Sequence, residues 1–370
     1  MKAVIHIGTR KTGTTTIQHF LAKNRVALKT QGILVPTSNS SCSGKHFELA
    51  RVADQNKQRD KYRHEIKVNG CEDDLVILSE EGLSSFTGKE VKNFKEWLDS
   101  LFDDITIILY LRRQPEYLVS LYHARLRLGL AKKIFDYLDT PEAPSVALAY
   151  HKILESWSIF EKIKIRIFDR RGFRDNDLLS DFSHTVGFNM AGLERTKDRN
   201  ISLGSAEAEF LRLLNAHEFD FRIHNGTNRR WIPDILNQDR RRKQDVRDEK
   251  AYYLNRAEAQ RILDQFREGN NWIAREYLGR EKLFDEDVSM YPEETVPHHL
   301  TVERSVEICA QLLKFKNKTQ GLHVTIPPHK VTKFHYNLYR LLSNITFGKL
   351  RKKYKAKRRA LKQLLKNKVT

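Results

Sequence analysis

The stretch KAVIHIGTRKTGTTTIQHFL, Lys2–Leu21, decides the fold. Lys2–Ile7 reads as a short buried strand that stops at Gly8, and Thr14–Leu28 then carries Ile17, Phe20, Leu21 and Leu28 at helical spacing. Further strands are expected at Ile33–Val35, Leu75–Leu78, Ile105–Leu111 and Ile163–Phe168, with helical patterns between them around Val91–Phe102, Glu116–Leu128 and Ala147–Phe160. Continuous apolar strands alternating with helices predict an α/β fold, with a mostly parallel sheet flanked by helices. The core is placed at residues 1–190. From 191 to 328 strands become scarce, and Leu203–Asn215, Arg256–Phe266 and Val302–Lys314 read as helices, giving a helical region that completes the site. Residues 329–370 form a basic amphipathic tail.

The chain has 370 residues, ample for a sizeable core, and a formal net charge of +19. That charge is unevenly spread. Ile308–Thr370 holds 17 Lys/Arg and no Asp/Glu, so of 66 basic residues 49 remain in the body against 47 acidic ones. A nearly neutral body carries a strongly basic tail, and charge gives no reason to read the body as a nucleic-acid binder. Cys42, Cys71 and Cys309 lie far apart without a CxxC pair, which argues against a disulfide scaffold or zinc module and for a reducing compartment. No run of eighteen apolar residues suggests a membrane-spanning helix. The apolar stretch Ala3–Ile7 is too short for a signal peptide.

The segment Gly8-Thr9-Arg10-Lys11-Thr12-Gly13-Thr14-Thr15 lies between the first strand and the first helix. There, backbone N–H groups and a helix N-terminus can surround a phosphate. The glycines have the spacing of a Walker A loop. However, Thr14 follows Gly13 where a Walker NTPase needs its lysine, and the lysine sits inside the loop as Lys11. In this form the loop resembles the 5′-phosphosulfate loop of sulfotransferases that use 3′-phosphoadenosine 5′-phosphosulfate (PAPS), approximately GxxKTGTT. The resemblance implies that Gly8, Arg10, Lys11, Thr12, Gly13, Thr14 and Thr15 hold the 5′-phosphate end. Lys11 would stabilise charge on the leaving oxygen as sulfuryl transfer proceeds. That chemistry requires no metal, and no metal cluster is evident in the sequence.

The segment LRRQPEYLVSLY, Leu111–Tyr122, follows the fourth strand. In the same family an arginine and a serine eight residues apart bind the 3′-phosphate at this place, and Arg112 and Ser120 have that spacing. Arg113 is the competing arginine. The segment Arg195–Leu203 resembles a later family element, which adds Arg195, Asn200 and Ser202 to the expected cofactor site. Gly269–Gly279, followed by Leu283-Phe284, also looks familial and reads as structural. The resemblance covers roughly residues 1–285, but only the two phosphate loops are specific.

Transfer to a hydroxyl needs a base. His46 follows the second strand, where related carbohydrate sulfotransferases present one. Glu81 follows the third strand in LSEEGL and is the other candidate, as a base or as a group orienting Lys11 or the sugar; His46 is placed ahead of it. Glu80 reads as solvated and His6 as a core residue. His298-His299 reads as surface rather than as a metal site.

The tail places Phe334, Leu338, Leu341, Leu342 and Ile345 at helical spacing beside many Lys and Arg. This suits an interfacial helix on an anionic membrane, at roughly 1 kcal/mol per basic residue near the surface. The tail resembles those of bacterial enzymes building lipopolysaccharide and capsule. The expected function is therefore a cytoplasmic, PAPS-dependent sulfotransferase, peripheral on the inner face of the inner membrane. Its acceptor would be a hydroxyl, or alternatively an amine, of a bacterial surface glycan or its lipid-linked precursor. The alternatives are a P-loop kinase of a sugar or nucleoside and a non-catalytic membrane- or RNA-bound scaffold.

Overall fold

In the computed structural model, the structure describes residues 1–37, 49, 56–71, 74–138, 145–196, 203–216, 253–294, 300, 301, 303–309 and 359. At its centre is an all-parallel five-stranded sheet in the order β2-β3-β1-β4-β5. Its strands are β1 (Lys2–His6), β2 (Ile33–Leu34), β3 (Leu75–Ser79), β4 (Asp104–Leu111) and β5 (Lys162–Ile167). The α/β class expected from the sequence holds, and each strand lies within a residue of its expected bounds at either end.

The pleat explains why these strands are apolar almost throughout. Ala3, Ile5 and Ile7 of the β1 segment point into one core, together with Val76, Leu78, Ile107, Leu109 and Leu111. Val4 points into the other, with Ile77, Ile108 and Tyr110. Successive side chains in a strand face opposite sides, so a sheet covered on both faces needs apolar residues at every position. The first face is covered by α3 (Asn56–Asn69), α4 (Gly88–Asp99), α8 (Tyr150–Trp157) and α11 (Arg256–Leu278), through residues such as Tyr62, Phe94, Trp157 and Ile273. The second is covered by α1 (Thr14–Lys23), α2 (Arg25–Lys29) and α9 (Leu178–Val186), through Ile17, Phe20, Leu28 and Phe182. Further helices are α5 (Gln114–Arg127), α6 (Ile134–Leu138), α7 (Ser145–Leu148) and α10 (Ser205–Ala216).

Three helices differ from expectation. The single helix expected over Thr14–Leu28 is broken at Asn24, whose Nδ2 donates to the carbonyls of Phe20 and Glu194, both at 2.9 Å. Its Oδ1 accepts from the Glu194 amide at 2.7 Å. A short amide side chain that bonds the backbone competes with the helix ladder. The helix expected over Ala147–Phe160 is likewise divided, into α7 and α8, at Ala149 (φ −85°, ψ 72°). Conversely, the helix expected at Arg256–Phe266 runs on to Leu278. It passes through Gly269 because a Cβ there would collide with His151, and through Asn270 because that amide exchanges two hydrogen bonds with Gln114, at 2.8 and 3.1 Å.

The chain forms two compact units that interleave along the sequence, whereas the sequence reading places consecutive boundaries at 190 and 328. The first comprises Met1–Leu118, Pro144–Asn200 and Ala257–Met290, and it holds the whole sheet. The second comprises Val119–Ala143, Ile201–Arg256 and Tyr291–Thr370. Its described residues contain no strand. Within it, Asn215 donates to the carbonyls of Leu126 and Leu130, both at 2.8 Å, while Arg304 pairs with the buried Glu207. The tail at 329–370 lies outside the described residues except for Arg359. No helix among the described residues is long and apolar enough to cross a membrane.

Candidate anion-binding site

The chain leaves β1 toward β3 and β2 but leaves β4 toward β5, so a crevice opens at the carboxyl ends of β1 and β4. This reversal is where open α/β sheets bind ligands. Both sequence motifs lie there. The β1 ladder ends with His6 opposite Ser79 and Ile108, and β4 continues for three more residues, paired only with β5. The loop 8–13 occupies the space beside that overhang.

The loop's path is set by its own residues. Gly8 (φ 66°) and Gly13 (φ 75°) have left-handed backbones. A Cβ at Gly8 would lie 2.9 Å from Thr14 Cγ2 and 3.1 Å from Glu81 Cβ, and one at Gly13 would overlap Leu178. Thr9 Oγ1 donates to the Tyr110 carbonyl at 3.1 Å, and Thr12 Oγ1 to the Thr9 carbonyl at 2.6 Å. Both threonines are therefore spent on shaping the loop. Lys11 is also left-handed, at φ 67°. Asp175 and Asn176, the other described non-glycine residues with positive φ, are of types that tolerate this region, whereas lysine is not. A lysine held in such a conformation points toward a functional constraint.

Helix α1 starts at this loop with Gly13 as its N-cap. Gly13 brings no side chain to cap it, and no acidic residue stands in its first turn. The first amides of a helix lack intrahelical acceptors, and the helix dipole adds partial positive charge there, so the terminus is suited to an anion.

Arg112 comes to the same loop from β4. Its Nη1 donates to the Lys11 carbonyl at 3.4 Å, and its guanidinium lies 5.6 Å from the centre of the Phe168 ring. Phe168 also borders Gly13, 3.0 Å from where a Cβ would stand. Arg113 is directed elsewhere, pairing with Glu116 at 2.7 Å and donating to the Asp287 carbonyl at 2.7 Å. Two residues that looked equivalent in sequence thus have different surroundings. Ser120 lies further along α5, on the portion that belongs to the second unit.

Glu81 accepts from Thr14 Oγ1 at 2.5 Å, so the carboxylate is held at the first residue of α1. Glu80 is buried rather than solvated, and its Oε1 accepts from the Gly82 amide at 2.9 Å. His6 is a core residue, as read: its Nδ1 meets Ser79 Oγ at 2.8 Å, and burial pushes its pKa down to about 4. Arg195 pairs with Asp177 at 2.6 Å and donates to Ser180 Oγ at 3.1 Å, at the start of α9. Arg10 is exposed and Thr15 half-buried. His46, Asn200, Ser202 and His298-His299 lie outside the described residues.

Three residues near these loops escaped the sequence reading. In the sequence Phe168 reads only as the end of a strand; an aromatic just past a strand's carboxyl end is the signal that could mark it. Tyr110 and Asp181 are the others. The fully buried Asp181 accepts from Tyr110 Oη at 2.8 Å and Arg166 Nε at 3.0 Å, which braces β4, β5 and α9 beneath the loop. Nothing in local sequence marks such a distant pair.

No family model matches the chain. An uncharacterized protein of Archaeoglobus fulgidus is 24% identical over 256 residues, which covers 67% of this chain and 67% of its own length. No solved structure matches.

Proposed function

We propose that the protein is a PAPS-dependent sulfotransferase. One observation carries the reading: the Arg112 guanidinium donates to the backbone carbonyl of Lys11, 101 residues away in sequence, beside the α1 N-terminus with its glycine N-cap at the sheet's reversal point. Arg112, the loop lysine and the first amides of α1 would together suit an extended, multiply charged anion. The lysine inside the loop, with Thr14 at the Walker lysine position, favours sulfuryl over phosphoryl transfer, and the loop resemblance supplies the specific cosubstrate.

In this reading the acceptor oxygen bonds to sulfur as the bond from sulfur to the bridging oxygen of the 5′-phosphate breaks. The bonding pair remains on that oxygen, where Lys11 and the α1 amides stabilise the growing charge. The acceptor proton passes to His46 or Glu81 as base. Glu81 stands at the entrance of α1, bonded to Thr14, and is available to orient Lys11 or the acceptor instead. Arg112 holds the 3′-phosphate; the sequence resemblance alone names Ser120, Arg195, Asn200 and Ser202 for that end. The acceptor is a bacterial surface glycan or its lipid-linked precursor.

Calorimetric titration tests the assignment. Adenosine 3′,5′-bisphosphate, the product nucleotide, is expected to bind at least tenfold more tightly than ATP–Mg²⁺. Preference for ATP–Mg²⁺ would replace the reading with a kinase, and binding of neither would replace it with a scaffold. The basic tail is proposed as the membrane attachment that places a cytoplasmic enzyme near a lipid-linked acceptor. Removal of residues 329–370 is expected to abolish sedimentation with anionic vesicles while leaving activity on soluble glycan fragments. Unchanged sedimentation would reject the anchor, and RNA binding lost with the tail would point to its other partner.

A further inference from the structure

Glu81 brings a negative charge to the place where the loop is otherwise suited to an anion. Helix α1 has no acid in its own first turn. A carboxylate nevertheless stands at its first residue, supplied from 67 positions away, where Thr14 Oγ1 donates to Glu81 Oε2 at 2.5 Å.

The residue has little room to withdraw. A Cβ on Gly8 would lie 3.1 Å from Glu81 Cβ and 3.2 Å from its Cα, so the loop packs against the Glu81 backbone. That backbone is tied on both sides. The Glu80 amide donates to the His6 carbonyl at 3.1 Å, and Ser84 Oγ donates to the Glu81 carbonyl at 2.8 Å. A ligand arriving at α1 can rotate the Glu81 side chain, but the residue itself stays beside the loop.

A hydroxyl has one hydrogen to give. While Thr14 donates it to Glu81, Thr14 has none for a phosphate oxygen. A phosphate that takes this hydrogen must then share the helix entrance with the carboxylate it displaces. The repulsion between them grows with the charge on the phosphate. A phosphate monoester carries close to two negative charges near neutral pH, whereas a diester or a phosphosulfate carries one on phosphorus.

We infer that Glu81 is a specificity-determining residue, which disfavours a doubly charged monoester against a singly charged phosphorus next to Thr14. The placing of a 5′-phosphate at Thr14 rests on the cofactor reading above. Sulfuryl transfer turns a phosphosulfate end into a monoester, so the same carboxylate favours departure of the spent nucleotide. A residue that merely held Thr14 or the loop in shape would, on replacement, weaken both kinds of ligand alike.

The test uses the full chain and Glu81→Gln, which keeps an oxygen acceptor for Thr14 and removes the charge. Calorimetry at about pH 8 compares adenosine 3′,5′-bisphosphate with its 5′-monomethyl ester, singly charged on the same phosphorus. The variant should bind the bisphosphate about tenfold or more tightly than the wild type does, and the ester within about threefold of it. The same preference in wild type and folded variant would overturn the inference and leave the cofactor reading standing, as would a loss of affinity for both ligands. Thermal midpoints report folding. Should Glu81→Gln not fold, Glu81→Ala is read by the same two affinities.

A wild-type protein that does not bind the bisphosphate would refute the cofactor reading, and a pair of probes without a nucleoside then decides. Methyl phosphate is doubly charged and dimethyl phosphate singly charged at about pH 8, and the NMR shifts of the Gly13–Thr15 amides follow their binding. Glu81→Gln should move the preference toward methyl phosphate by about tenfold. An unchanged preference, or no shift with either probe, would overturn the inference as well.

Discussion

The loop 8–13 and the Arg112-Arg113 turn face the same crevice but are built differently. The loop is shaped mainly from within, by two left-handed glycines and by threonines that bond their near neighbours or the adjacent strand. The turn has no such internal code. Its two arginines are sorted by groups far away in sequence: Phe168 and the Lys11 carbonyl receive Arg112, while the Asp287 carbonyl, with nearby Glu116, takes Arg113. A locally built loop advertises itself in the sequence, whereas a distantly sorted side chain does not. The first region is also where the proposed chemistry acts, and the second where binding is measured out.

The largest expected effect lies on the first region. Lys11→Ala should reduce kcat for sulfuryl transfer by about 100- to 1000-fold, the usual loss for one donor aimed at developing charge. Affinity for adenosine 3′,5′-bisphosphate should fall by less than about tenfold, because the lysine acts mainly on charge absent from the ground state. Single-turnover kinetics and calorimetry read the two quantities separately. Near-wild-type turnover would erase the catalytic difference between the regions.

The second region should respond in binding. Arg112→Ala is expected to weaken adenosine 3′,5′-bisphosphate by about 10- to 100-fold, as for a charge-assisted contact of roughly 1.5–3 kcal/mol, with AMP affinity little changed. Arg113→Ala should leave that discrimination intact and lower the unfolding free energy by about 1 kcal/mol, through loss of its partly buried contacts. Exchange of the two phenotypes would mean that the ligand re-sorts the arginines when it binds.

The smallest effect concerns His6, which ends the strand leading into the loop. Its folded pKa, about 4, lies below the ordinary 6.5, because burial disfavours the charged ring. The unfolded chain therefore takes up the proton first as pH falls. The stability from the neutral ring is fully present above pH 6.5 and is lost as pH falls toward 4. Between pH 6.5 and 5.5 the loss attributable to this residue should be about 1 kcal/mol, read by urea unfolding against His6→Gln. A variant with the same pH slope as the wild type would assign that slope to other groups.

Much of the fold was legible because its signals are local and periodic. Continuous apolar runs such as ITIILYL, Ile105–Leu111, admit few readings other than a strand covered on both faces. Where the reading slipped, as at Asn24 or along Gly269-Asn270, a side chain had found a partner far along the chain: Glu194 in one case, Gln114 and the neighbouring His151 in the other.

The sequence by itself determined the strand–loop–helix unit, the glycines at 8 and 13 and the placement of a lysine between them. These follow from sterics and periodicity over a few residues, which any short window of sequence contains. Only the tertiary structure decided that Arg112 rather than Arg113 leans on that loop, that Glu81 bonds Thr14, and that Tyr150 bonds the Arg112 carbonyl. Each is a contact between residues tens of positions apart or more. Its energy depends on burial and orientation, and both exist only once the sheet has brought the carboxyl ends of β1 and β4 side by side.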